Sequence, residues 1–462
     1  MKLAKQWSDL LLGRQAPVDE GQGRVVRSLE TLFTGLAGRG VGLLITFLSL
    51  PLTVSYLGPE RFGVWATITT IMAWLNLADL GFGNSVTNAL AGALGKGDDA
   101  QARRTVATGF WLLTLVSLLL LPLGYLVWSS LEWSTWLGIS PDLAKREARP
   151  ALAVIGAISL IAFPFTLVTR ILEAHQEGAR NSYWLMAGNL ASLAGLVAGT
   201  SLHAGLPALV AAVWGPQVFV TLCSALWLFT RHKPHLRPQF AFASRAEAAA
   251  LWQIGGQFFI VQLNGILLFQ TDNVIIAHFL GASAVTPYNV TWRLFTYAGL
   301  AAALFNSALW PAYADAYARK DGAWIRQTFR RSLWATLVLT TLLAGLLVVI
   351  GEWFIRHWAG PEAVPPFAVI AWMGVWSVIS AAMGACASLA NATGHLRGQM
   401  ICGFLAALLN LALSVWLIQT TGLAGVIAAT VIAYAVCVIV PIAWETRAIL
   451  NKVSHDACRA TA

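Results

Sequence analysis

The chain has 462 residues, of which 57% are hydrophobic and only 11% charged, with a mean hydropathy of +0.67. That balance excludes a water-soluble domain with an apolar core and a polar shell, and leaves the lipid bilayer as the solvent. The net charge of +9 comes from Lys and Arg scattered through short loops beside apolar runs, a distribution that points to anionic lipid and membrane orientation and not to nucleic acid.

Residues 1–28 are expected either to form a short helix with Leu3, Trp7, Leu10 and Leu11 on one face and Lys2 and Lys5 towards lipid headgroups or to be a frayed tail, and they lack the apolar stretch expected of a secretory signal. Apolar runs long enough to cross a bilayer then follow at 32–57, 63–94, 106–131, 151–172, 183–202 and 206–229. A second set occupies 251–280, 285–316, 333–350, 366–389, 400–417 and 423–444. The runs are long and continuous, unlike the short alternating strands of a barrel, so the expected fold is an all-α integral membrane protein of about twelve transmembrane helices.

Lys and Arg crowd every second gap between these runs, whereas the intervening gaps hold only Arg61, Lys145, Arg146, Arg149 and Arg356. The asymmetry places the richer gaps, and with them both termini, in the cytoplasm. Trp128, Trp133, Trp136, Trp353 and Trp358 then fall near the outer face as an interfacial belt.

An internal repeat runs through the chain. Tyr56-Leu57-Gly58 recurs as Phe279-Leu280-Gly281, Phe82-Gly83-Asn84-Ser85 as Leu304-Phe305-Asn306-Ser307, and Gly95-Lys96-Gly97-Asp98 more loosely as Arg319-Lys320-Asp321-Gly322. Six runs per half is an even number, so both halves enter the membrane the same way and form a parallel pseudo-repeat. The expected division is a cytoplasmic segment 1–28, a first lobe 29–230, a basic linker 231–248 containing Pro234 and Pro238, a second lobe 249–446 and a cytoplasmic tail 447–462.

Ionisable side chains inside a membrane span are costly, which makes Arg39, Asp79, Asp272 and Arg293 the first candidates for substrate binding or coupling. At 1.5 Å per residue, Arg39 and Asp79 lie at depths of about 27 and 24 Å from the outer ends of their spans, and Asp272 and Arg293 both at about 12 Å. Each half is therefore expected to hold one Arg–Asp pair. Such pairs either lock neighbouring helices together or line a wet cavity between the lobes. Thr69, Asn76, Asp79 and Gly83 share one side of the second span, and Gln253, Gln257 and Asn264 share a face of the seventh. With Asn84 and Asn306 from the repeated motif, these are the expected polar lining of the cavity, although the amides serve equally well as inter-helix hydrogen bonds. Gly81, Gly83 and Pro311 are expected to break or soften their helices.

Other chemistry is not indicated. Gly95-Lys96 stands alone without a phosphate-binding loop, the eight histidines are dispersed, and four of the five cysteines fall in apolar runs. No ATP hydrolysis, cofactor, metal site or disulfide framework is expected. The longest outer gap, about 132–150, is too short for the catalytic domain that a membrane glycosyltransferase or polymerase requires.

The segment Tyr56-Leu57-Gly58-Pro59-Glu60-Arg61-Phe62-Gly63-Val64-Trp65, followed by Leu77-Ala78-Asp79-Leu80-Gly81-Phe82-Gly83-Asn84, resembles the opening of the polysaccharide flippase family. So do Asp272-Asn273, Phe279-Leu280-Gly281, Tyr288, Leu389-Ala390-Asn391-Ala392-Thr393-Gly394, Asn410 and Gly422-Leu423-Ala424-Gly425. That family belongs to the multidrug, oligosaccharidyl-lipid and polysaccharide exporter superfamily. The resemblance implies two six-helix lobes around a central cavity. It further implies translocation of polyprenyl-diphosphate-linked oligosaccharide to the outer leaflet of a bacterial inner membrane, with a proton or sodium gradient as a candidate drive. Polysaccharide polymerase and glycosyltransferases are the partners it suggests. Arg39 and Arg293 would meet the diphosphate, and aromatic faces such as Trp65, Trp74 and Trp292 the sugars. Because Asp79 and Asp272 offset the two Arg, charge alone leaves a cation or multidrug antiporter of the same superfamily as the alternative.

Overall fold

The computed structural model describes residues 20–319, 321–395 and 397–461, and no strand occurs among them. The first helix, α1 (Glu20–Leu77), turns sharply at Gly58, where φ is 70° and ψ 172°, so that its two limbs make the first crossing and the start of the second. The second crossing is completed by α2 (Phe82–Gly95), and the third is α3 (Asp99–Ser130). The fourth joins α4 (Arg149–Ala162) to α5 (Leu167–Ala174) through a short 3-10 helical segment, Phe163–Thr166. Then come α6 (Gly178–Ser201) and α7 (Leu206–Trp227), which close the first lobe.

In the second lobe the seventh crossing is split into α8 (Arg245–Phe269) and α9 (Asp272–Leu280). It is followed by α10 (Ala282–Ala318), α11 (Gly322–Trp358), α12 (Phe367–Ala392) and α13 (Arg397–Thr421). The twelfth crossing runs through α14 (Leu423–Tyr434) into α15 (Val440–Thr461). The result is an all-α membrane protein of twelve crossings in two six-helix lobes. Eight runs among the described residues are long and apolar enough to cross a membrane unaided. Crossings five, seven and eight and the second half of crossing two are not among them. Three of these four carry the breaks or the ionisable side chains.

The repeat read from sequence has a backbone counterpart. Gly58 and Gly281 adopt the same conformation, φ 70° with ψ 172° and φ 86° with ψ 161°, in a region that a side chain makes costly. Asp98 caps α3 by accepting from Gln101 N at 2.9 Å, and Asp321 caps α11 by accepting from Trp324 N at 3.0 Å.

Apolar packing divides the molecule into three cores, and their placement shapes it. One core spans both lobes at the end bearing the Gly58 and Gly281 turns, joining Leu57, Phe62, Trp65 and Ile68 to Ile276, Val285, Tyr288 and Phe295. At the opposite, basic end the lobes have separate cores. One contains Phe82, Val106, Ile171 and Leu228, the other Tyr313, Phe329, Leu389 and Ile442. The first half of α8 is the exception, because Leu251 packs in the first lobe's core and Gly255 lies against the Leu80 carbonyl.

The joined end is close-fitting. A Cβ built on Gly63 would fall 1.6 Å from the Ala282 carbonyl oxygen, so that position admits only glycine while the lobes touch. Thr286 Oγ1 donates to the Pro59 carbonyl at 2.6 Å, and Asn273 Nδ2 to Thr70 Oγ1 at 2.9 Å. Trp133, assigned from sequence to the lipid interface, is buried in this shared core, whereas Trp353 is exposed as an interfacial residue should be.

Candidate functional site

Helix α2 begins after a turn at residues 78–81, where Leu80 and Gly81 both take positive φ. The break expected from the glycines is therefore present. Asp79 sits on this turn, not within a helix, and its Oδ1 accepts from Gly81 N at 2.7 Å in the manner of an Asx turn. Its other oxygen faces the Arg170 guanidinium of α5. A Cβ on Gly83 would lie 2.8 Å from Arg170 Nε and 3.0 Å from Asp79 Oδ2, so the glycine leaves room for the two to approach. Gln262 of α8 also hydrogen-bonds to Asp79. The described cationic neighbour of Asp79 is thus Arg170, near the end of the fourth apolar run, which also reaches Glu173 at 3.3 Å. The side chains of Arg39, Asn76, Gln257 and Asn264 lie outside the described set.

The expected Asp272–Arg293 pair does not form. Asp272 opens α9 just past the break at Gln270 and Thr271, is buried, and accepts a short hydrogen bond from the Tyr288 hydroxyl of α10. Among the described residues its second oxygen, Oδ1, has no hydrogen-bond partner. Arg293 instead donates from Nε to Asn289 Oδ1 at 2.9 Å, one turn back on its own helix. The physical reason is angular. Five residues separate Tyr288 from Arg293, about 140° around a helix of 3.6 residues per turn, so the side that meets Asp272 is not the side that carries Arg293. Tyr297, one turn on from Arg293, has a buried hydroxyl without a hydrogen-bond partner among the described residues and packs edge-on against Phe47 of α1. Among the described residues Arg293 has no acidic partner, which leaves a cation and an orphan hydroxyl together where α10 meets the first lobe.

A cavity of about 580 Å³ lies between α10 and α12. Its walls follow two matching stripes, Trp292, Thr296, Gly299, Ala303 and Asn306 on one helix and Ser377, Ala381, Gly384, Ser388 and Asn391 on the other. Both step by four and three residues in turn, the spacing that keeps one face of a helix towards a neighbour. That double stripe of small and polar residues was a usable sequence signal. Trp292 and Trp376 stack at one end, with centroids 6.4 Å apart and planes 19° apart, and Trp376 meets Tyr434 edge-on at 4.7 Å. Asn306 is buried at the other end. Its Oδ1 accepts from Thr336 at 3.3 Å, its carbonyl accepts from Ser388 at 2.8 Å, and its Nδ2 faces Gly384.

Of the other polar residues singled out from sequence, Thr69 spends its hydroxyl on the Ala66 carbonyl at 2.7 Å, Gln253 is exposed, and Asn84 is partly buried on α2. Neither they nor Asp79, Asp272 and Arg293 line this cavity, whose described walls come wholly from the second lobe.

The fold is that of a multi-pass membrane transporter. Its backbone superposes on the inward-facing conformation of a multidrug resistance MATE family transporter with a TM-score of 0.75, at 16% identity, covering 89% of this chain and 96% of that one. Within that class, the chain belongs to the polysaccharide biosynthesis protein family, whose model matches residues 31–317, and the MatE model matches residues 258–416. A Yersinia pseudotuberculosis protein named for O-antigen export is 23% identical over 304 residues, 63% of this chain and 66% of its own length. A Salmonella typhi protein named as an O-antigen transporter is 23% identical over 282 residues, covering 59% and 61% respectively. The chain thus spans a little under two thirds of the length of these relatives.

Proposed function

We propose that this chain is a flippase that carries polyprenyl-diphosphate-linked oligosaccharide repeat units from the cytoplasmic to the outer leaflet of a bacterial inner membrane. The observation that carries the reading is the arrangement of cores: the lobes share one at the Gly58 and Gly281 end and keep separate ones at the basic end. Such a body can exchange the joined end for the open one without unfolding either lobe. The excess of Lys and Arg supports a cytoplasmic basic end with both termini, so the end at which the lobes keep separate cores faces the side on which a lipid-linked precursor is made. The inward-facing state of the MATE transporter it resembles, and the naming of its relatives for O-antigen transport, support the same reading.

In this scheme Arg293, with Tyr297 beside it, meets the diphosphate, and Arg39 serves the same charge from the first lobe. Asp272, buried with one oxygen unpartnered among the described residues, takes up and releases the coupling proton or sodium ion. Asp79 and Arg170 form the charged hinge at the helix break, and Asn84 borders it. Polymerase and glycosyltransferases hand the cargo on and supply it.

The test is deletion of the gene in its host. Surface polysaccharide should be lost and lipid-linked repeat units should accumulate in the cytoplasmic leaflet, and the chain supplied in trans should reverse both. A deletion strain with normal polysaccharide and new sensitivity to cationic dyes would replace this reading by the antiporter.

A further inference from the structure

Resting on the flippase reading, we infer that the cavity between α10 and α12 is the subsite for the uncharged sugars of the cargo, separate from the place where its diphosphate is held. Among the described residues no charged side chain lines it. An anion moved there would lose its hydration without gaining a partner, a penalty that no neutral hydroxyl-bearing ligand meets to the same degree. The walls have the character of a binding site for a neutral polar molecule. Most of the lining is apolar, and a few polar groups, Thr296, Asn306, Ser380 and Asn391 among them, are spread along its length.

The stacked Trp292 and Trp376 offer a flat apolar face to the C–H side of a pyranose, while amide and hydroxyl groups suit its rim. From Trp292 to Asn306 is fourteen residues, about 21 Å of helix, so the groove is long enough for several sugars in a row. An isoprenoid tail is the other occupant of comparable length. It needs neither amides nor hydroxyls, and the lipid-facing surfaces, with Leu44, Leu115 and Val349 exposed, already provide for it.

The two subsites are adjacent. Arg293 follows Trp292 in sequence and projects about 100° further around α10, towards α1, whereas Trp292 looks to α12. One helix therefore presents a cation on one side and a sugar plate on the next, matching the order of a diphosphate joined directly to its first sugar.

Filling the cavity tests this. A Cβ added at Gly299 meets nothing within 4 Å, so Gly299→Leu projects into the groove without displacing a neighbour. Gly345, on the exposed side of α11, likewise has nothing within 4 Å, and Gly345→Leu is the matched control. In the deletion strain, wild type and Gly345→Leu should restore polysaccharide, and Gly299→Leu should lower it at least tenfold at equal membrane abundance. Restoration by Gly299→Leu would overturn the subsite and leave the flippase standing, whereas failure of the wild type itself would strike the flippase reading.

A second measurement keeps the outcome clear if Gly299→Leu is poorly made. Ala303→Cys in the groove should be protected from maleimide at least fivefold by free repeat-unit oligosaccharide, released by mild acid from the host's own precursor, and not by undecaprenyl phosphate. The opposite pattern would assign the groove to the lipid.

Discussion

Replacing Gly63 by Ala should force the joined end apart. The new Cβ would stand 1.6 Å from the Ala282 carbonyl oxygen, against about 3.4 Å for an ordinary contact, so the start of α10 has to retreat by about 1.8 Å or the lobes must separate there. Overpacking of this kind costs about 1–3 kcal/mol when the neighbours stay in place. Because Ala282 belongs to the other lobe, the cost falls on the closed state and not on the first lobe's own fold. At 1.4 kcal/mol per decade it shifts the ratio of open to closed forms by about 5- to 140-fold. Thr286 reports the change, since it is fully buried with its hydroxyl on the Pro59 carbonyl. In a cysteine-free background, Thr286→Cys should react with an externally added, membrane-impermeant maleimide 5- to 140-fold faster when Gly63→Ala is present. Gly58→Ala strains the turn by a comparable amount, but its Cβ meets nothing within 4 Å, and it should leave the labelling rate nearly unchanged. Equal labelling with and without Gly63→Ala, at equal protein level, would show that this end does not open by parting Gly63 from Ala282.

Two further outcomes follow from buried charge. Asp272→Asn keeps an acceptor for Tyr288 but cannot exchange a proton, so flipping by the variant in vesicles should lose its response to an imposed proton or sodium gradient; an intact response would remove Asp272 from coupling. At the basic end, Glu177 accepts from Arg180 and His232, both at 2.7 Å, and meets Lys233 at 3.1 Å. Burial pushes its carboxyl up, but those three donors outweigh burial and hold it at about 2, below the ordinary 4.5. A folded-state value below the unfolded one stabilises fully above about pH 4.5, and the gain disappears as pH falls through 2. Screened by solvent at this partly exposed site, it amounts to on the order of 1 kcal/mol. The Tm deficit of Glu177→Gln in detergent should shrink by more than half between pH 6 and pH 3, and a deficit independent of pH would discount the cluster.

Much of this architecture was legible because lipid makes the code simple. Apolar length marked the crossings, and loop charge told one end from the other. The repeat at Gly58 and Gly281 was readable because only glycine tolerates that backbone. The break at Gln270 and Thr271 was not, since neither Gly nor Pro marks it and a run of apolar residues continues on both sides. The Asp272–Arg293 pairing failed for a different reason. Equal depth along the membrane does not make a contact: azimuth around α10 decides it, and Tyr288 occupies the side that Asp272 sees. Arg170 was missed as a neighbour of Asp79 because a turn at 78–81 swings the carboxylate towards the end of α5, which a straight-helix reading cannot show. The cavity was half legible: the stripes through Gly299 and Gly384 can be read along each helix, but only two helices set face to face enclose a space.

The departures from symmetry bear on how such a body works. A parallel repeat doubles the scaffold, yet crossing two breaks at 78–81 while its counterpart α10 is continuous through residues 282–318, and crossing seven breaks at 270–271 while the first limb of α1 is not interrupted. Both breaks lie on helices that cross the seam between lobes, and both carry an aspartate at or beside the break. Helices facing lipid have no such freedom, because an opened backbone there finds neither water nor a partner. On the flippase reading the seam would bend where the cargo passes, and α10 would stay straight, because one unbroken helix holds the cation of Arg293 and the plate of Trp292 at a fixed angle to each other.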